Sequence, residues 1–227
     1  MVCKLLKKQL VIMQNKLHYN TITPLLLSIL RSCMSATEFA SFRLVGGTSL
    51  SLQIGHRMSV DIDLFTDAPY ESVDFKAIDN WLRANYTYVD AHDFEAVGMG
   101  KPYFVGESKN NCIKLDLYYT DNFIDDYFTV DGIRLATIEE IIAMKADVIM
   151  RGGRKKDFWD LHELMDKYTL DNVINLHKKR YPYNHETELL INKLTDFKFA
   201  DDDFEPQCLL GKHWEIIKMD LIDFAGK

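Results

Sequence analysis

Two stretches decide the fold of this chain: Leu44-Val-Gly-Gly-Thr-Ser-Leu-Ser-Leu and, shortly after it, Val60-Asp-Ile-Asp-Leu-Phe. A glycine pair that opens a helix, here Gly46-Gly47, lets backbone N–H groups approach a phosphate closely because no Cβ stands in the way. Asp61 and Asp63 are spaced i and i+2 on a predicted strand, so both point to one face and can together hold Mg²⁺. Neither stretch is specific alone. In this order, thirteen residues apart, they predict a site for phosphate and metal.

A third acidic residue, Asp116, lies on the polar face of another predicted strand. Alternation within residues 111–119 places Lys114, Asp116 and Tyr118 on one side. If this strand neighbours the one that carries Asp61 and Asp63, the three carboxylates converge. Two-metal nucleotidyl transfer needs such a cluster, because one ion activates the attacking hydroxyl and the other neutralises the leaving pyrophosphate. The alternative for Asp116 is an exposed side chain on an ordinary amphipathic strand.

Lys145 is the most informative residue outside these motifs. Its helical neighbours are all apolar: Ile141, Ile142, Val148 and Ile149. A lysine on an apolar stripe needs an anionic partner, because burying it unpaired is costly. We favour a triphosphate at the domain junction as that partner. A structural carboxylate is the second option, and an ammonium that reaches the surface is the third.

A basic segment follows Lys145 directly. Arg154 with Asp157 and Lys156 with Asp160 are spaced as ion pairs on a helix. Those pairs explain part of the pattern, but they do not explain why a basic loop follows Lys145. On a chain of net charge −7, one local basic patch suits a phosphate-bearing ligand that is contacted at one place only.

Other basic and aromatic positions have more than one interpretation. Arg57 either contacts a phosphate or base or is a solvated turn residue. For Lys178-Lys179-Arg180 we favour a solvated helix face. The tryptophans are interpreted as core residues rather than stacking platforms: Trp81, Trp159 and Trp214.

Composition indicates a globular protein without a membrane span. The acidic net charge argues against a general nucleic-acid binder, and no run of eighteen apolar residues exists. Residues 1–16 are predicted to form a short helix rather than a signal peptide. The cysteines lack metal-type spacing, which predicts reduced thiols and a cytoplasmic location: Cys3, Cys33, Cys112 and Cys208.

Periodicity predicts the elements around the motifs. A strand at Phe42–Val45 leads into a helix at Thr48–Ile54, for which Thr48 or Ser49 is the expected cap. The acidic strand covers Val60–Phe65. Further helices are predicted at Ile22–Met34 and Glu71–Ala84, and further strands at Tyr86–Val89, Tyr103–Val105 and Asn111–Tyr119.

The chain changes character after the turn at Asp131-Gly132. Thr137-x-x-Glu140 is a capping box ahead of a long helical stretch. We therefore expect an α+β fold in two parts. Residues 1–135 form a mixed β-sheet core with flanking helices, and residues 136–227 form a helical region packed on that core.

Four segments in this order resemble the AbiEii/AbiGii toxin family of nucleotidyltransferases, over roughly residues 40–165. They are Leu44-Val-Gly-Gly-Thr-Ser-Leu-Ser-Leu, Gly55-His-Arg-Met-Ser-Val-Asp-Ile-Asp-Leu-Phe, Lys114-Leu-Asp-Leu, and Lys145…Arg151…Lys156-Asp157-x-x-Asp160-Leu. The resemblance implies the minimal nucleotidyltransferase fold of the polymerase-beta superfamily. It also implies a nucleoside triphosphate substrate, an RNA acceptor such as a tRNA end, and a separately encoded antitoxin, often in phage-resistance pairs.

Carried over to this chain, the resemblance assigns roles to individual residues. It makes Asp61, Asp63 and Asp116 ligands of Mg²⁺, with Mn²⁺ as the alternative ion. Lys145 corresponds to the lysine at the triphosphate, and Asp157 to the acidic residue of the last motif; with the three ligands they form the candidate catalytic set. The candidates for contact with the nucleotide are Gly46, Gly47, Thr48, Arg57, Lys145 and Arg151.

Two other functions stay open. The first is a non-catalytic nucleotide-binding or antitoxin-binding module that retains the fold. The second is a glycosyltransferase that uses Asp61-x-Asp63 to hold Mn²⁺ on a sugar nucleotide. The glycine pair ahead of the acidic pair makes the second less favoured.

Overall fold

The structure is a computed structural model that describes residues 16–91 and 98–227. The expected N-terminal helix and Cys3 lie outside the described residues. Within the described ranges, no helix combines the length and the apolar character that crossing a lipid bilayer requires.

A mixed sheet of seven strands forms the centre of the described part of the chain. The strands are β1 (Arg43–Leu44), β2 (Asp61–Thr66), β3 (Tyr88–Ala91), β4 (Gly100–Ser108), β5 (Asn111–Tyr119), β6 (Phe128–Val130) and β7 (Ile133–Leu135). Their order across the sheet is β3-β4-β5-β2-β1-β7-β6. The pairs β2–β5 and β1–β7 are parallel, and the other neighbours are antiparallel. The predicted mixed sheet is confirmed.

Helices flank the sheet and continue to the C-terminus. They are α1 (Pro24–Ser35), α2 (Gly46–Ile54), α3 (Phe75–Asn85), α4 (Ile138–Met150), α5 (Lys155–His162), α6 (Leu170–Arg180), α7 (Thr187–Lys193), α8 (Lys198–Asp201) and α9 (Trp214–Phe224). Helix α3 begins later than the sequence pattern predicts, because the Asp74 side chain caps it by accepting from the backbone N–H of Ala77 at 2.8 Å.

The start of α2 differs from the prediction. The helix begins at Gly46 itself, Val45 occupies the N-cap position, and no side chain caps the helix. Thr48 and Ser49 lie inside the helix and are buried. The expectation that either one caps α2 is therefore wrong. The glycine pair forms the first turn of the helix rather than preceding it.

The predicted capping box at α4 forms only in half. The Thr137 hydroxyl accepts from the backbone N–H of Glu140 at 3.2 Å, as expected. The Glu140 carboxylate instead accepts from the backbone N–H of Ile124 at 2.6 Å and pairs with the Arg180 guanidinium. Arg180 is consequently buried, and its predicted place on a solvated face is wrong. Lys178 and Lys179 are exposed as predicted.

The sheet separates two apolar clusters. One contains inward residues of β2 and β5, such as Ile62 and Leu115, together with residues of α1 and α3. The other joins Val45 and Leu50 to the apolar residues of α4, α5 and the C-terminal helices. Because the second cluster crosses the expected boundary at residue 135, the helical region packs directly against the core. The exact domain division stays a prediction.

Candidate active site

Strands β2 and β5 bring the acidic residues to one face. The two strands pair in parallel with Asp61 opposite Lys114 and Asp63 opposite Asp116. Residues that lie opposite each other in a sheet share a face, so all three carboxylates occupy the same side. The expectation that the two acidic strands are neighbours is confirmed. This face is the one turned toward α4 and α5, since Phe65 on the same side packs into their cluster.

Asp63 sits at the centre of this face. Within the described residues its carboxylate has no hydrogen-bond or ion-pair partner. Burial, together with the negative charges of Asp116 and Asp61, raises the pKa of Asp63 to about 6. One oxygen of Asp116, Oδ1, is also buried without a hydrogen-bond partner. The site therefore holds concentrated negative charge that the protein leaves partly uncompensated.

Two lysines contact these carboxylates directly. Lys114 Nζ lies 2.5 Å from Asp116 Oδ2, and Lys156 Nζ lies 3.4 Å from Asp61 Oδ2. The sequence pattern predicts Lys156 as the helix partner of Asp160, and that pairing is wrong. Lys156 reaches instead from the start of α5 across to β2. It is a site residue that helical spacing alone does not reveal.

Each glycine of the pair makes room for a particular side chain. Gly46 has φ +67°, a left-handed conformation, and a Cβ there would lie 2.5 Å from Asp63 Oδ2. A Cβ on Gly47 would lie 2.3 Å from Arg57 Nη2. The missing Cβ atoms thus let Asp63 and Arg57 approach the first turn of α2. Thr48, expected at the nucleotide, is buried, and its hydroxyl bonds the Ser59 hydroxyl at 2.7 Å and the carbonyl of Asp61. That hydroxyl holds α2 to the start of β2.

Asp160 is the centre of a buried charge cluster beneath the glycine pair. Its side chain has no exposed surface. Oδ1 accepts from Arg57 Nε at 2.6 Å and bonds His56 Nε2 at 2.8 Å, and Oδ2 accepts from Arg57 Nη2 at 2.8 Å. Lys145 Nζ lies 2.7 Å from Oδ2. Burial opposes ionisation, but Arg57 and Lys145 hold the pKa of Asp160 well below its usual range.

This cluster corrects the interpretation of two basic residues. Arg57 is buried and is not a solvated turn residue. Its guanidinium donates hydrogen bonds to Asp160 and to the Met58 carbonyl, so it is not available to bind a phosphate. Lys145 is buried, and its ammonium contacts Asp157 Oδ1 at 2.6 Å as well as Asp160. The structural carboxylate, which was the second option for Lys145, is therefore the partner that the structure shows. A role of Lys145 toward a triphosphate stays a prediction.

Lys145 and Asp157 each stabilise the charged form of the other. Burial alone would lower the pKa of Lys145, but Asp157 and Asp160 outweigh it and raise that pKa. Burial would likewise raise the pKa of Asp157, and Lys145 reverses the shift. Asp157 also accepts from the backbone N–H of Arg154 at 3.0 Å, so it fixes the start of α5. Asp157 and Lys145 thereby bind α5 to α4 beside the carboxylate face.

Arg151 is not brought to the acidic face. Its guanidinium pairs with Asp147, one turn earlier on α4, and most of its side chain is exposed. The pairing is local, between positions i and i+4. As a candidate for nucleotide contact, Arg151 is therefore not supported by the geometry.

Asp160 and Lys156 are site residues that the candidate set from the sequence omits. A signal for Asp160 exists in the chain, because Phe158-Trp159 and Leu161 surround it with apolar neighbours. By the reasoning applied to Lys145, an acid in that setting needs a buried cation. Lys156 carries no comparable signal, since its partner lies 95 residues away.

The donor set suits a hard divalent cation. Among residues 16–91 and 98–227, no group of three or more His, Cys, Asp or Glu side chains is arranged to hold a metal ion. The three carboxylates nevertheless share one face, Asp63 has no partner, and Asp116 Oδ1 is buried without one. Carboxylate oxygens are the ligands that Mg²⁺ takes in proteins. Asp61, Asp63 and Asp116 are the residues that would hold it.

A mixed sheet that presents acidic residues on neighbouring parallel strands, beside a glycine-opened helix, defines the class as the nucleotidyltransferase fold. The chain belongs to the family described as "Nucleotidyl transferase AbiEii toxin, Type IV TA system", which it matches over residues 28–224. It is thus a nucleotidyltransferase. The match includes all of the C-terminal helices, α4 to α9.

Individual proteins are also similar to this chain. An uncharacterised protein of Aquifex aeolicus (strain VF5) is 31% identical over 195 residues, which cover 78% of this chain and 82% of the relative. The crystal structure of JHP933 from Helicobacter pylori superposes with a TM-score of 0.54 at 19% sequence identity. The matched region covers 88% of this chain and 87% of the JHP933 chain. A second H. pylori structure, described as a candidate nucleotidyltransferase, has a TM-score of 0.52 at 19% sequence identity. The matched region covers 88% of this chain and 90% of that chain. The two solved structures share the fold.

Proposed function

We propose that this protein transfers a nucleoside monophosphate from a nucleoside triphosphate to a hydroxyl of RNA, such as a tRNA end, and depends on Mg²⁺. The hydroxyl oxygen forms a bond to the α-phosphorus and releases its proton to solvent, while the bond from that phosphorus to the bridging oxygen breaks and pyrophosphate leaves. The observation that carries the proposal is the parallel register that sets Asp63 opposite Asp116, on the face that also holds Asp61.

The carboxylates have the charge that the reaction requires. When bound, Mg²⁺ or Mn²⁺ would neutralise the phosphates and would lower the pKa of the attacking hydroxyl. Asp61, Asp63 and Asp116 would hold it. Lys114 and Lys156, which now neutralise two of these groups, would then be released from them. Lys156 is partly exposed and is close enough to contact a phosphate near Asp61.

The first turn of α2 is the proposed place for the triphosphate. Its glycine backbone is partly exposed, and no side chain caps the free N–H groups at this helix start. Lys145 acts indirectly in this proposal. It holds Asp157 and Asp160 in position, and its positive charge opposes the rise in the pKa of Asp63.

Transfer of label tests the proposal directly. The protein is incubated with each α-³²P-labelled triphosphate, Mg²⁺ and total tRNA, and both labelled RNA and released pyrophosphate are measured. Asp61→Asn and Asp63→Asn should each reduce transfer at least about a hundredfold, because several kcal/mol of charge stabilisation is removed. Asp166→Asn is the matched control, since Asp166 is exposed and has no hydrogen-bond or ion-pair partner among the described residues. Undiminished transfer by Asp61→Asn would refute the metal assignment.

Calorimetric titration with each triphosphate, combined with the pyrophosphate measurement, separates the catalytic proposal from the non-catalytic alternative. A binding module would take up nucleotide in calorimetry but release no pyrophosphate with any triphosphate. The glycosyltransferase alternative requires binding of a sugar nucleotide, which the same titration measures.

We further propose a cytoplasmic toxin that a cognate antitoxin neutralises, with phage resistance as the biological role. Membership of a toxin family supports this proposal. Induced expression should arrest growth, Asp61→Asn should relieve the arrest, and co-expression of the antitoxin should do the same. Growth arrest that persists in Asp61→Asn would show that toxicity does not need transfer.

A further inference from the structure

A cavity of about 350 Å³ adjoins the acidic face at the start of β2. Lys156 belongs both to its wall and to the ion pair with Asp61, and Val60 precedes Asp61 directly. The cavity lies between the segment that leads into β2 and the segment that follows α8. Its lining residues beyond those two include Arg57, Met58, Arg154, Phe204 and Glu205.

Backbone hydrogen bonds fix the two walls against each other. The N–H of Met58 donates to the carbonyl of Gln207 at 2.9 Å, and the N–H of Leu209 donates to the carbonyl of His56 at 2.9 Å. Arg57 and Cys208 form an isolated antiparallel bridge between these bonds. The wall from the C-terminal part of the chain is therefore hydrogen-bonded to the segment that leads into β2. The cavity is preformed.

The lining combines an aromatic surface with the basic side chains of Arg154 and Lys156. The Phe204 ring is 93% exposed and Val60 is 59% exposed, although both line the cavity. The Arg154 side chain is 62% exposed and lies 3.9 Å from Asp157, so its guanidinium is largely available. Lys156 adds an ammonium, which is partly exposed and lies 3.4 Å from Asp61 Oδ2. An exposed aromatic ring beside basic side chains is the arrangement that binds bases by stacking and backbones by charge.

The other polar side chains of the lining are those of Asp203, Glu205 and Gln207. Asp203 already accepts from the backbone N–H of Lys155 at 3.2 Å. Glu205 and Gln207 are exposed at the rim, and their side chains have no hydrogen-bond or ion-pair partner within residues 16–91 and 98–227. They offer hydrogen-bond acceptors and donors that suit the edge of a base. The volume also lies within the range of small-molecule sites, roughly 300–1,000 Å³.

We infer that this cavity binds a nucleoside 5′-phosphate unit, with the base stacked on Phe204 and the phosphate held by Arg154 and Lys156. The inference rests on the proposed function for its biological meaning. The unit is either the donor nucleotide or the terminal nucleotide of the RNA acceptor, since both carry the same chemistry. In either case the cavity places a ribose-phosphate next to Asp61.

Binding of nucleoside monophosphates tests the inference without turnover. The wild-type protein, Phe204→Ala and Tyr183→Ala are titrated with AMP, CMP, GMP and UMP by calorimetry in the absence of divalent metal. Tyr183→Ala is the matched control, because this aromatic side chain is 98% exposed but lines a different cavity. Phe204→Ala should raise the Kd about five- to a hundredfold, as expected for loss of one base stack, while Tyr183→Ala leaves it within about twofold.

Arg154→Ala separates phosphate binding from base binding. This variant should weaken the monophosphates but leave the weaker binding of the corresponding nucleosides unchanged. In turnover, a raised KM for the triphosphate in Phe204→Ala would identify the donor, and a raised KM for RNA would identify the acceptor. Either result supports the inference.

The inference and the proposed function fail in different ways. No binding of any monophosphate by the wild-type protein at millimolar concentration, or equal Kd values for Phe204→Ala and Tyr183→Ala, would overturn the inference. Monophosphate binding that depends on Phe204, in a protein that releases no pyrophosphate, would leave the inference in place and overturn the catalytic proposal.

Discussion

Replacing Asp160 with asparagine tests the buried charge cluster beneath the glycine pair. The substitution keeps the shape of the side chain but removes its charge and turns one acceptor oxygen into a donor NH₂ group. Arg57 and Lys145 both donate to this carboxylate, so at least one of them would face a donor instead of an acceptor. The two cations would remain buried with only part of their negative partner charge.

The expected loss follows from these contacts. Breaking a buried ion pair by removing one partner costs about 3–5 kcal/mol. Lys145 retains Asp157 as a partner at 2.6 Å, which places the estimate at the lower end, about 3 kcal/mol. In a chain of this size, each kcal/mol corresponds to roughly 2–4 °C, so the melting temperature should fall by about 6–12 °C.

Urea unfolding followed by circular dichroism measures the difference. Asp166→Asn, an exposed change of the same chemistry, should stay within about 0.5 kcal/mol of the wild type. A loss below about 1 kcal/mol in Asp160→Asn would refute the view that Asp160 neutralises buried cations here.

The gap between wild type and Asp160→Asn should also depend on pH. The pKa of Asp160 is lower in the folded protein than in the unfolded chain, where it is about 3.9. The carboxylate therefore contributes its full stability above about pH 4 and loses it as pH falls through the folded value. The stability of the two proteins should converge only in strong acid. A gap that closes above pH 5 would contradict this assignment.

Two further predictions concern the carboxylate face. Gly46→Ala should destabilise the protein by about 1–2 kcal/mol in urea unfolding, because alanine is strained at the left-handed φ of this position. It should also reduce nucleotide transfer, because the new Cβ would collide with Asp63 Oδ2. A Gly46→Ala protein with wild-type activity and wild-type stability would refute this role. Asp63→Asn should stabilise the metal-free protein by about 3 kcal/mol above pH 6, because the pKa of Asp63 is raised and its ionisation costs stability as pH rises from about 4 to 6. Unfolding curves at pH 4 and pH 7.5 check the sign, and an Asp63→Asn protein less stable than wild type at pH 7.5 would contradict it.

Local patterns in the chain predict most of the backbone around the site. Strand β5 has the predicted bounds Asn111–Tyr119, and β2 starts one residue after the predicted Val60. Alternation along a strand is a consequence of backbone geometry and needs no knowledge of the partner. The same argument places Asp61 and Asp63 on one face from sequence alone.

Caps and helix starts are less predictable, because several side chains compete for the same backbone groups. Thr48 is a suitable cap by residue type, but the packing of α2 against β2 directs its hydroxyl to Ser59 and to the carbonyl of Asp61. Glu140 similarly does not complete the capping box. Its carboxylate pairs instead with Arg180, which lies 40 residues later in the chain, on α6.

The sequence by itself determined the alternating strands, the glycine pair, the acidic positions and the need of Lys145 for an anion. Only the tertiary structure decided which charges meet. Asp160 pairs with Arg57 across 103 residues, and Lys156 pairs with Asp61 across 95. Periodicity depends on the backbone within a few residues, whereas a buried ion pair depends on how α2, α4 and α5 pack onto the sheet. That packing gives Lys145 two carboxylates, buries Arg57, and leaves Asp63 unpaired at the centre of the site.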